Sequence, residues 1–395
     1  MREDWKYQPL GEICDLLNGF AFKSNMYVNE GIRVIRIANV QKGYIEDSAP
    51  AFYPFSYEDE LSRYMLQEGD LLMSLTGNVG RVGILNKEML PAALNQRVAC
   101  IRLKKKDVLL KYLFHYFNSD YFEKMCIASS HGAAQLNMST VWLAKHSIPV
   151  PPLSEQERIV ALLDDQFAKI DALKANAASQ LQAAKDLFQS ALKEMLTPKE
   201  GWERKTLEEI STDMYRGSGI TRDQITEDGI SCVRYGEIYT TYNYWFDNCK
   251  SHTIESKIKS PKYFEKGDIL FTITGESVED IAKSVAYLGS EKCLAGGDIV
   301  VMKHNQNAKY LSYALSTPDA IKQKGLGKTK LKVVHSNVPS IKSIAIPIPS
   351  LPEQERIAAR LDAISDKVAR LQENYNMTLT LCNDLKQSLL KSIFA

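Results

Sequence analysis

The sequence lacks the signs of a membrane or secreted protein. No apolar run approaches the ~18 residues needed to span a bilayer, and the opening Met1-Arg2-Glu3-Asp4-Trp5 is charged, so no apolar leader is expected. The seven cysteines (Cys14, Cys100, Cys126, Cys232, Cys249, Cys293 and Cys382) are scattered, odd in number and never spaced as Cys-x-x-Cys. They read as reduced thiols of a cytoplasmic protein rather than as disulfides or a zinc site. The six histidines show no His-x3-His or Cys-His spacing, so no metal site is expected.

Catalytic signatures are scarce as well. Gly327-Lys328-Thr329 ends like a phosphate loop, but Lys322 stands where Gly-x4-Gly-Lys-Thr needs its first glycine, and without it the backbone cradle is incomplete. Glu255-Ser256-Lys257 has the Glu-x-Lys form of some nucleases without a Pro-Asp partner before it. There is no Asn-Pro-Pro-Tyr or Asp-Pro-Pro-Tyr segment for amino methylation, no Gly-x-Ser-x-Gly elbow and no Gly-rich turn to seat a nucleotide cofactor. The reading is a binder rather than an enzyme, with no cofactor of its own. Net charge is only +1, which argues weakly against indiscriminate nucleic-acid binding. Charge is nevertheless local: Arg102-Leu103-Lys104-Lys105-Lys106 is one basic run and residues 319–332 hold another, each of which a solvated surface also explains.

What the sequence does have is a repeat. Leu153-Ser154-Glu155-Gln156-Glu157-Arg158-Ile159 returns as Leu351-Pro352-Glu353-Gln354-Glu355-Arg356-Ile357, each after a proline-rich exit (Pro149-Val150-Pro151-Pro152 and Pro347-Ile348-Pro349-Ser350). Trp5, Leu10 and Ile13 match Trp202, Leu207 and Ile210, Lys111-Tyr112-Leu113 matches Lys309-Tyr310-Leu311, and residues 69–77 match 267–275 as Gly-Asp, an apolar run and Thr-Gly. A period this long means a duplicated domain-plus-helix unit rather than a solenoid. Within each unit, residues 33–40, 98–102, 231–235 and 298–303 are strand candidates and 111–118 and 309–316 short helices.

Both long segments carry heptad seams. The first runs through Ile159, Leu163, Ile170, Leu173 and Leu187, and the second through Ile357, Leu361, Ile364, Val368, Leu371, Leu385 and Leu389. Ser154 with Glu157, and Ser350 with Glu353, have capping-box spacing. The seams should pair with each other antiparallel, since intrachain pairing avoids the entropy of association, although a homodimeric coiled coil uses the same pattern. About forty residues give a rod of ~60 Å. The expected fold is α+β: two similar mixed lobes separated by two long antiparallel coiled-coil helices, duplicated about a pseudo-twofold. Boundaries fall at 1–150, 151–197, 198–349 and 350–395.

The duplicated Pro-Pro-Leu-Ser-Glu-Gln-Glu-Arg-Ile and Pro-Ser-Leu-Pro-Glu-Gln-Glu-Arg-Ile openings, each closing a lobe with an internal Gly-Asp-apolar-Thr-Gly segment, resemble the specificity subunit of type I restriction-modification systems over essentially the whole chain. The resemblance implies two target recognition domains, each reading one half of a split double-stranded DNA site. It also implies two modification subunits docked on the helices and restriction (motor-nuclease) subunits beside them. S-adenosylmethionine, ATP and magnesium would then serve those partners, not this chain. Asn78 and Arg81, in a loop that resembles the family's Gly-rich loop, could reach phosphate or base edges, and Asn95-Gln96-Arg97 and the stretch with Gln135 and Asn137 also resemble family segments. In lobe two the matching regions are Gly296-Gly297-Asp298 and a lysine run with Lys328, Lys330 and Lys332, and Arg216, Arg222 and Arg234 are further candidates. Amides suit adenine and guanidinium suits guanine, yet a turn held by its own Asn and Gly fits each lobe-one segment equally. Tyr239, Tyr242, Tyr244 and Trp245 could stack on bases or form a strand surface. A scaffold that binds no nucleic acid, and a stand-alone methyltransferase or nuclease with disguised motifs, are the competing readings.

Overall fold

The computed structural model describes residues 5–132, 136–275, 281–326 and 334–395. It divides into two compact units, one of residues 1–178 with 375–395 and the other of residues 179–374. Each contains one lobe and one stretch of each long helix.

In the first unit the strand Lys6–Pro9 pairs antiparallel with Ser147–Val150, so the Trp-led opening and the proline-rich exit are zipped together. A four-stranded antiparallel sheet follows the order Cys14–Asn18, Val98–Leu103, Leu71–Ser74, Val82–Ile84. A second sheet has Ile32–Ile35 between Phe52–Tyr53 and Ala92–Leu94. Leu71–Ser74 is buried at every position, which is why it reads as a continuous apolar run instead of an alternating one. Gly69 precedes it at φ +83°, a conformation that costs residues with a Cβ. Asp70 then accepts from the Gln67 N–H at 2.8 Å and from Arg102 at 2.7 and 2.6 Å. Arg102 therefore belongs to the turn, and its neighbours Lys104 and Lys105 are tied to the Gly11 carbonyl and to Gln8.

The second unit repeats this plan. Glu203–Thr206 pairs with Ala345–Ile348. The order Ser211–Arg216, Ile299–His304, Ile269–Thr272, Ser284–Tyr287 matches the first sheet and adds Trp245–Phe246 at its edge. Asp268 accepts from the Glu265 N–H at 2.8 Å and from Lys303 at 3.0 Å, as Asp70 does from its own partners.

The strand expected over 33–40 is Ile32–Ile35 and ends early. Asn39 accepts from the Arg36 N–H at 2.9 Å and donates to the Glu46 carbonyl at 2.8 Å, a side-chain turn that competes with the ladder. The strand expected over 231–235 is Ile230–Val233, because Tyr235 already opens the helix Tyr235–Thr240. Tyr242 does not face outward for bases; it stacks on Phe246 with ring centroids 4.0 Å apart.

The long helices are Leu153–Leu196 and Leu351–Phe394, each of 44 residues. The first starts at Leu153, which puts Ser154 inside the first turn rather than at the cap, while Glu353 forks to Arg356. The lone glutamine of the repeated motif does the anchoring. Gln156 is fully buried, accepts from the Leu109 N–H at 2.9 Å and donates to the Asp107 and Pro151 carbonyls at 2.9 Å each. Gln354 accepts from the Asn307 N–H at 2.9 Å and donates to Gln306 Oε1 at 2.7 Å and the Pro349 carbonyl at 2.9 Å.

The Lys-Tyr-Leu repeats supply the rest of the attachment. Lys111 pairs with Asp164 at 2.7 Å and Lys309 with Asp362 at 2.5 Å, while Tyr112 and Tyr310 donate to the Pro149 and Pro347 carbonyls at 2.8 and 2.7 Å. Burial works against the Asp164 carboxylate, but Lys111 and His115 outweigh it and hold its pKa below the usual range. His115 lies 2.9 Å from Asp164 and stays neutral, since burial lowers its pKa more than the carboxylate raises it.

Pairing is antiparallel within each unit. Ile159 and Leu163 share a core with Leu390 and Phe394, and Ile357 and Leu361 share one with Leu192 and Leu196. Lys386 bonds Asp171 at 2.7 Å across the first pair. Of the proposed seam, Ile159, Leu163, Ile170, Ile357 and Leu361 are buried and Ile364, Val368, Leu371 and Leu389 half-buried. Leu173, Leu187 and Leu385 are not in it: they are 57%, 63% and 49% exposed. A helix of 3.6 residues per turn drifts ~20° per heptad from a 3.5-residue stripe, so after four heptads the neighbouring residue faces inward. Phe188 is buried in place of Leu187, and Lys386 in place of Leu385 lies 5.0 Å over the Phe167 ring. Among the described residues no helix is long and apolar enough to cross a membrane.

Candidate nucleic-acid interface

In lobe one, the strands Leu71–Ser74 and Val98–Leu103 end together and deliver the proposed DNA-facing segments to one place. The buried Ser74 hydroxyl donates to the Asn78 carbonyl and accepts from the Arg81 N–H at 3.1 Å, which folds residues 74–81 into a tight loop. The Leu75 N–H donates to the Arg97 carbonyl at 2.9 Å, bringing the turn 95–97 beside that loop. On its other side, Thr76 donates to Asn137 Oδ1 at 3.0 Å and the Gly77 N–H to the Leu136 carbonyl at 2.8 Å. Three segments far apart in sequence thus form one rim.

Their side chains differ in what remains available. Asn78, Gln96 and Arg97 are exposed. Arg81 is half-buried and donates to Gln41 Oε1 at 2.8 Å, so Gln41 orients it, a partner that sequence reasoning missed. Asn95 accepts from the Arg97 N–H at 3.1 Å and caps its own turn, which makes it a positioning residue. Asn137 is an exposed residue bridged to both Thr76 and His131. Gln135 lies outside the described residues, as do Lys328, Lys330 and Lys332 in lobe two.

Lobe two builds the corresponding turn differently. Gly217 stands where Gly19 stands in lobe one; a Cβ on either would collide with the backbone of the turn, Asn95 in one case and Gly296 in the other. The Ile273 N–H donates to the Asp298 carbonyl at 3.0 Å, matching Leu75 with Arg97. Two glycines at the turn leave room, and a cleft of about 770 Å³ opens beside it. Arg222, Arg234, Tyr235, Glu237, Lys250 and Ser251 line this cleft together with Gly296-Gly297-Asp298.

The cleft is organised around a buried carboxylate. Glu237 is 7% exposed, accepts from the Ser251 hydroxyl at 2.6 Å and meets Arg234 at 3.4 Å, so the guanidinium is steered by its own lobe. Arg222 is exposed at the cleft edge. Arg216 sits apart from these two, donating to the Gly297 carbonyl and pairing with Asp298 at 3.0 Å, which spends its fork on the turn. Lys250 and Ser251 were not anticipated; a single lysine in a polar stretch gives no sequence signal. Guanidinium and ammonium groups can meet phosphates or guanine, and a recessed carboxylate with a hydroxyl can meet a base amino group. Among the described residues no group of three or more His, Cys, Asp or Glu side chains is placed to hold a metal ion.

Comparison with known proteins points the same way. The model of a family described as the type I restriction modification DNA specificity domain matches twice, at residues 2–183 and 199–380. The type I restriction enzyme EcoBI specificity subunit of Escherichia coli is 26% identical over 100% of this chain and 86% of its own length. The StySPI specificity subunit of Salmonella potsdam is 23% identical over 99% of the chain and 89% of the relative. A solved chain from work on complex assembly and conformational transition of the type I R-M system superposes with a TM-score of 0.73 at 19% identity, covering 99% of this chain and 97% of that one. The HsdS subunit from Thermoanaerobacter tengcongensis superposes with a TM-score of 0.56 at 19% identity, covering 100% and 97%. At such identities the superpositions speak to fold.

Proposed function

The chain belongs to the type I restriction-modification DNA specificity family, and from that premise we propose how its parts divide the work. Each lobe reads one half of an asymmetric, two-part site in double-stranded DNA. The paired helices set the gap between the halves and dock two modification subunits, which restriction (motor-nuclease) subunits join in the cytoplasm. The chain itself catalyses nothing; S-adenosylmethionine, ATP and magnesium are used by the partners.

One observation carries this reading. The same attachment occurs twice, through Gln156 and Asp164 in one unit and Gln354 and Asp362 in the other, while the surfaces thus presented differ. Lobe one offers a rim of amides and arginine, and lobe two a cleft with Arg222, Arg234 and Lys250. An unchanged mount with changed readers suits a target of two unlike halves. The contacts assigned are Asn78, Gln96, Arg97 and Asn137, with Arg81, in lobe one and Arg222, Arg234 and Lys250 in lobe two.

The helices also repeat their outward face. Leu187 and Leu385 occupy equivalent positions 198 residues apart and are 63% and 49% exposed; Leu153 and Leu351, another equivalent pair, are 39% and 49% exposed. Leucines repeated at equivalent positions suit two copies of one partner.

A binding titration of the complex with its modification subunits on duplex DNA, repeated across salt concentrations, tests the assignment. A DNA reader loses affinity as salt rises, with a slope of about −0.9 per phosphate contact on a log–log plot. A scaffold without DNA contacts shows no saturable binding at any salt concentration.

A further inference from the structure

The two lobes share a structural position beside the DNA-facing turn. Ile32–Ile35 and Ile230–Val233 are equivalent strands: each lies between an antiparallel partner, Phe52–Tyr53 or Ser251–Thr253, and a parallel one, Ala92–Leu94 or Cys293–Ala295. The last carbonyl of each strand accepts from the first N–H of the neighbouring turn, Ile35 from Asn95 at 3.2 Å and Val233 from Gly296 at 2.8 Å. An arginine follows in both lobes, Arg36 in one and Arg234, 198 residues later, in the other. Its backbone N–H donates to the side chain three residues on, Asn39 at 2.9 Å and Glu237 at 3.3 Å. Arg36 therefore stands beside the turn 95–97 as Arg234 stands beside the turn 296–298. Gln41, shortly after Arg36, is also the residue that orients Arg81.

We propose that Arg36 is a further member of the lobe-one rim and binds a phosphate of the DNA backbone alongside the first half-site.

This rests on the reading of lobe one as a DNA reader and adds a residue to it. The two arginines differ in what balances their charge. Arg234 meets the Glu237 carboxylate at 3.4 Å, which steers it. At that place lobe one has Asn39, whose amide donates to the Glu46 carbonyl at 2.8 Å and brings no charge. Arg36 is half-buried and forms no ion pair among the described residues; its side chain donates from Nη2 to the Ala49 carbonyl at 2.6 Å. Its Nε is buried without an acceptor. Ala49 takes only one hydrogen of the guanidinium's outer edge, so Nη1 and the other hydrogen of Nη2 remain as a fork. That fork keeps an uncompensated positive charge next to a turn whose Gln96 and Arg97 are exposed, and the oxygens of a phosphate match it in shape and charge. Arg33, on the same strand, is the contrast. It pairs with Asp47, donates to the Met89 carbonyl at 3.2 Å and lies 5.0 Å over the Phe52 ring, so its charge is spent inside the lobe.

Salt titrations of the complex with its modification subunits, on a duplex carrying the motif that it methylates, test the assignment. Arg36→Met keeps the aliphatic stem and removes the charge. Its log–log salt slope should be shallower by about 0.9, and its affinity should fall by the same factor on duplexes with an intact and with an altered first half-site. Arg36→Lys should keep the parent slope. Lys104→Ala, which removes a charge beyond the other end of the strand Val98–Leu103, should keep it too. The parent slope in Arg36→Met, an equal loss of slope in Lys104→Ala, or a loss confined to one base pair of the first half-site would overturn the phosphate contact. The double variant Gln96→Ala with Arg97→Ala separates the two ways of failing. If it relaxes the first half-site while Arg36→Met keeps the parent slope, this inference alone falls; if neither variant changes binding, the DNA-reading assignment of lobe one falls with it.

Discussion

Gln156 and Gln354, 198 residues apart, anchor their helices in the same way: each accepts a backbone N–H from the loop that leads into the helix of the Lys-Tyr-Leu repeat at 2.9 Å and donates back to the proline-rich exit at 2.9 Å. The glutamine of the motif that repeats most visibly in the sequence therefore fixes each lobe to a helix.

Gln156→Ala should leave the Leu109 N–H and the Asp107 and Pro151 carbonyls without their buried partner. Each such loss costs about 1–3 kcal/mol. Denaturant unfolding monitored in the first unit should show destabilisation of that order, with Gln354→Ala acting equally on the second. A change under ~0.5 kcal/mol would mean that water replaces the amide.

Replacing Gln96 and Arg97 with alanine should relax recognition at the first half-site only, and replacing Arg222 and Arg234 at the second only. Each base-directed contact is worth about 1–3 kcal/mol, a drop of roughly tenfold or more in affinity. Competition binding with duplexes altered in one half-site at a time separates the two effects. Loss at both halves from either pair would break the proposed division.

Leu187→Glu and Leu385→Glu should each leave folding within ~0.5 kcal/mol of the parent, as exposed substitutions do. Mass measurement of the complex with modification subunits should then show one docked copy instead of two for either variant. Unaltered stoichiometry in both would remove these leucines from the docking surface.

Burial holds the pKa of His304 down, at about 4 against 6.5 for a free imidazole. The unfolded chain therefore takes up this proton first as pH falls, so the stability contribution is whole above pH 6.5 and is lost between there and about 4. Thermal melts of His304→Gln should show a shallower decline over that window than the parent chain. Parallel curves would show that other groups dominate.

Much of this was legible beforehand, for identifiable reasons. The duplication, both helix starts and the Gly-Asp strands follow from backbone requirements, which leave local residue patterns. The seam was legible in part: Ile159, Leu163, Ile170, Ile357 and Leu361 are buried and Leu389 packs on the core, but the sequence pattern keeps a 3.5-residue period while the helix turns at 3.6, and Leu173, Leu187 and Leu385 fall on the wrong side of that drift. The residues expected to face DNA differ in what their neighbours leave available: Asn78, Gln96 and Arg222 are exposed, whereas Arg216 is spent on its own turn and Asn95 caps itself, distinctions that depend on tertiary neighbours. Lys250 joins the cleft only through strand pairing, and no local pattern announces that.

The most direct test is modification-sensitive sequencing of DNA from cells that co-express this chain with its modification subunit. The account predicts methylation at one asymmetric motif of two specified parts separated by an unspecified gap of fixed length, with the arginine and glutamine variants above altering one part each. Methylation at a single undivided motif, or none in a complex shown to be assembled and active, would contradict it.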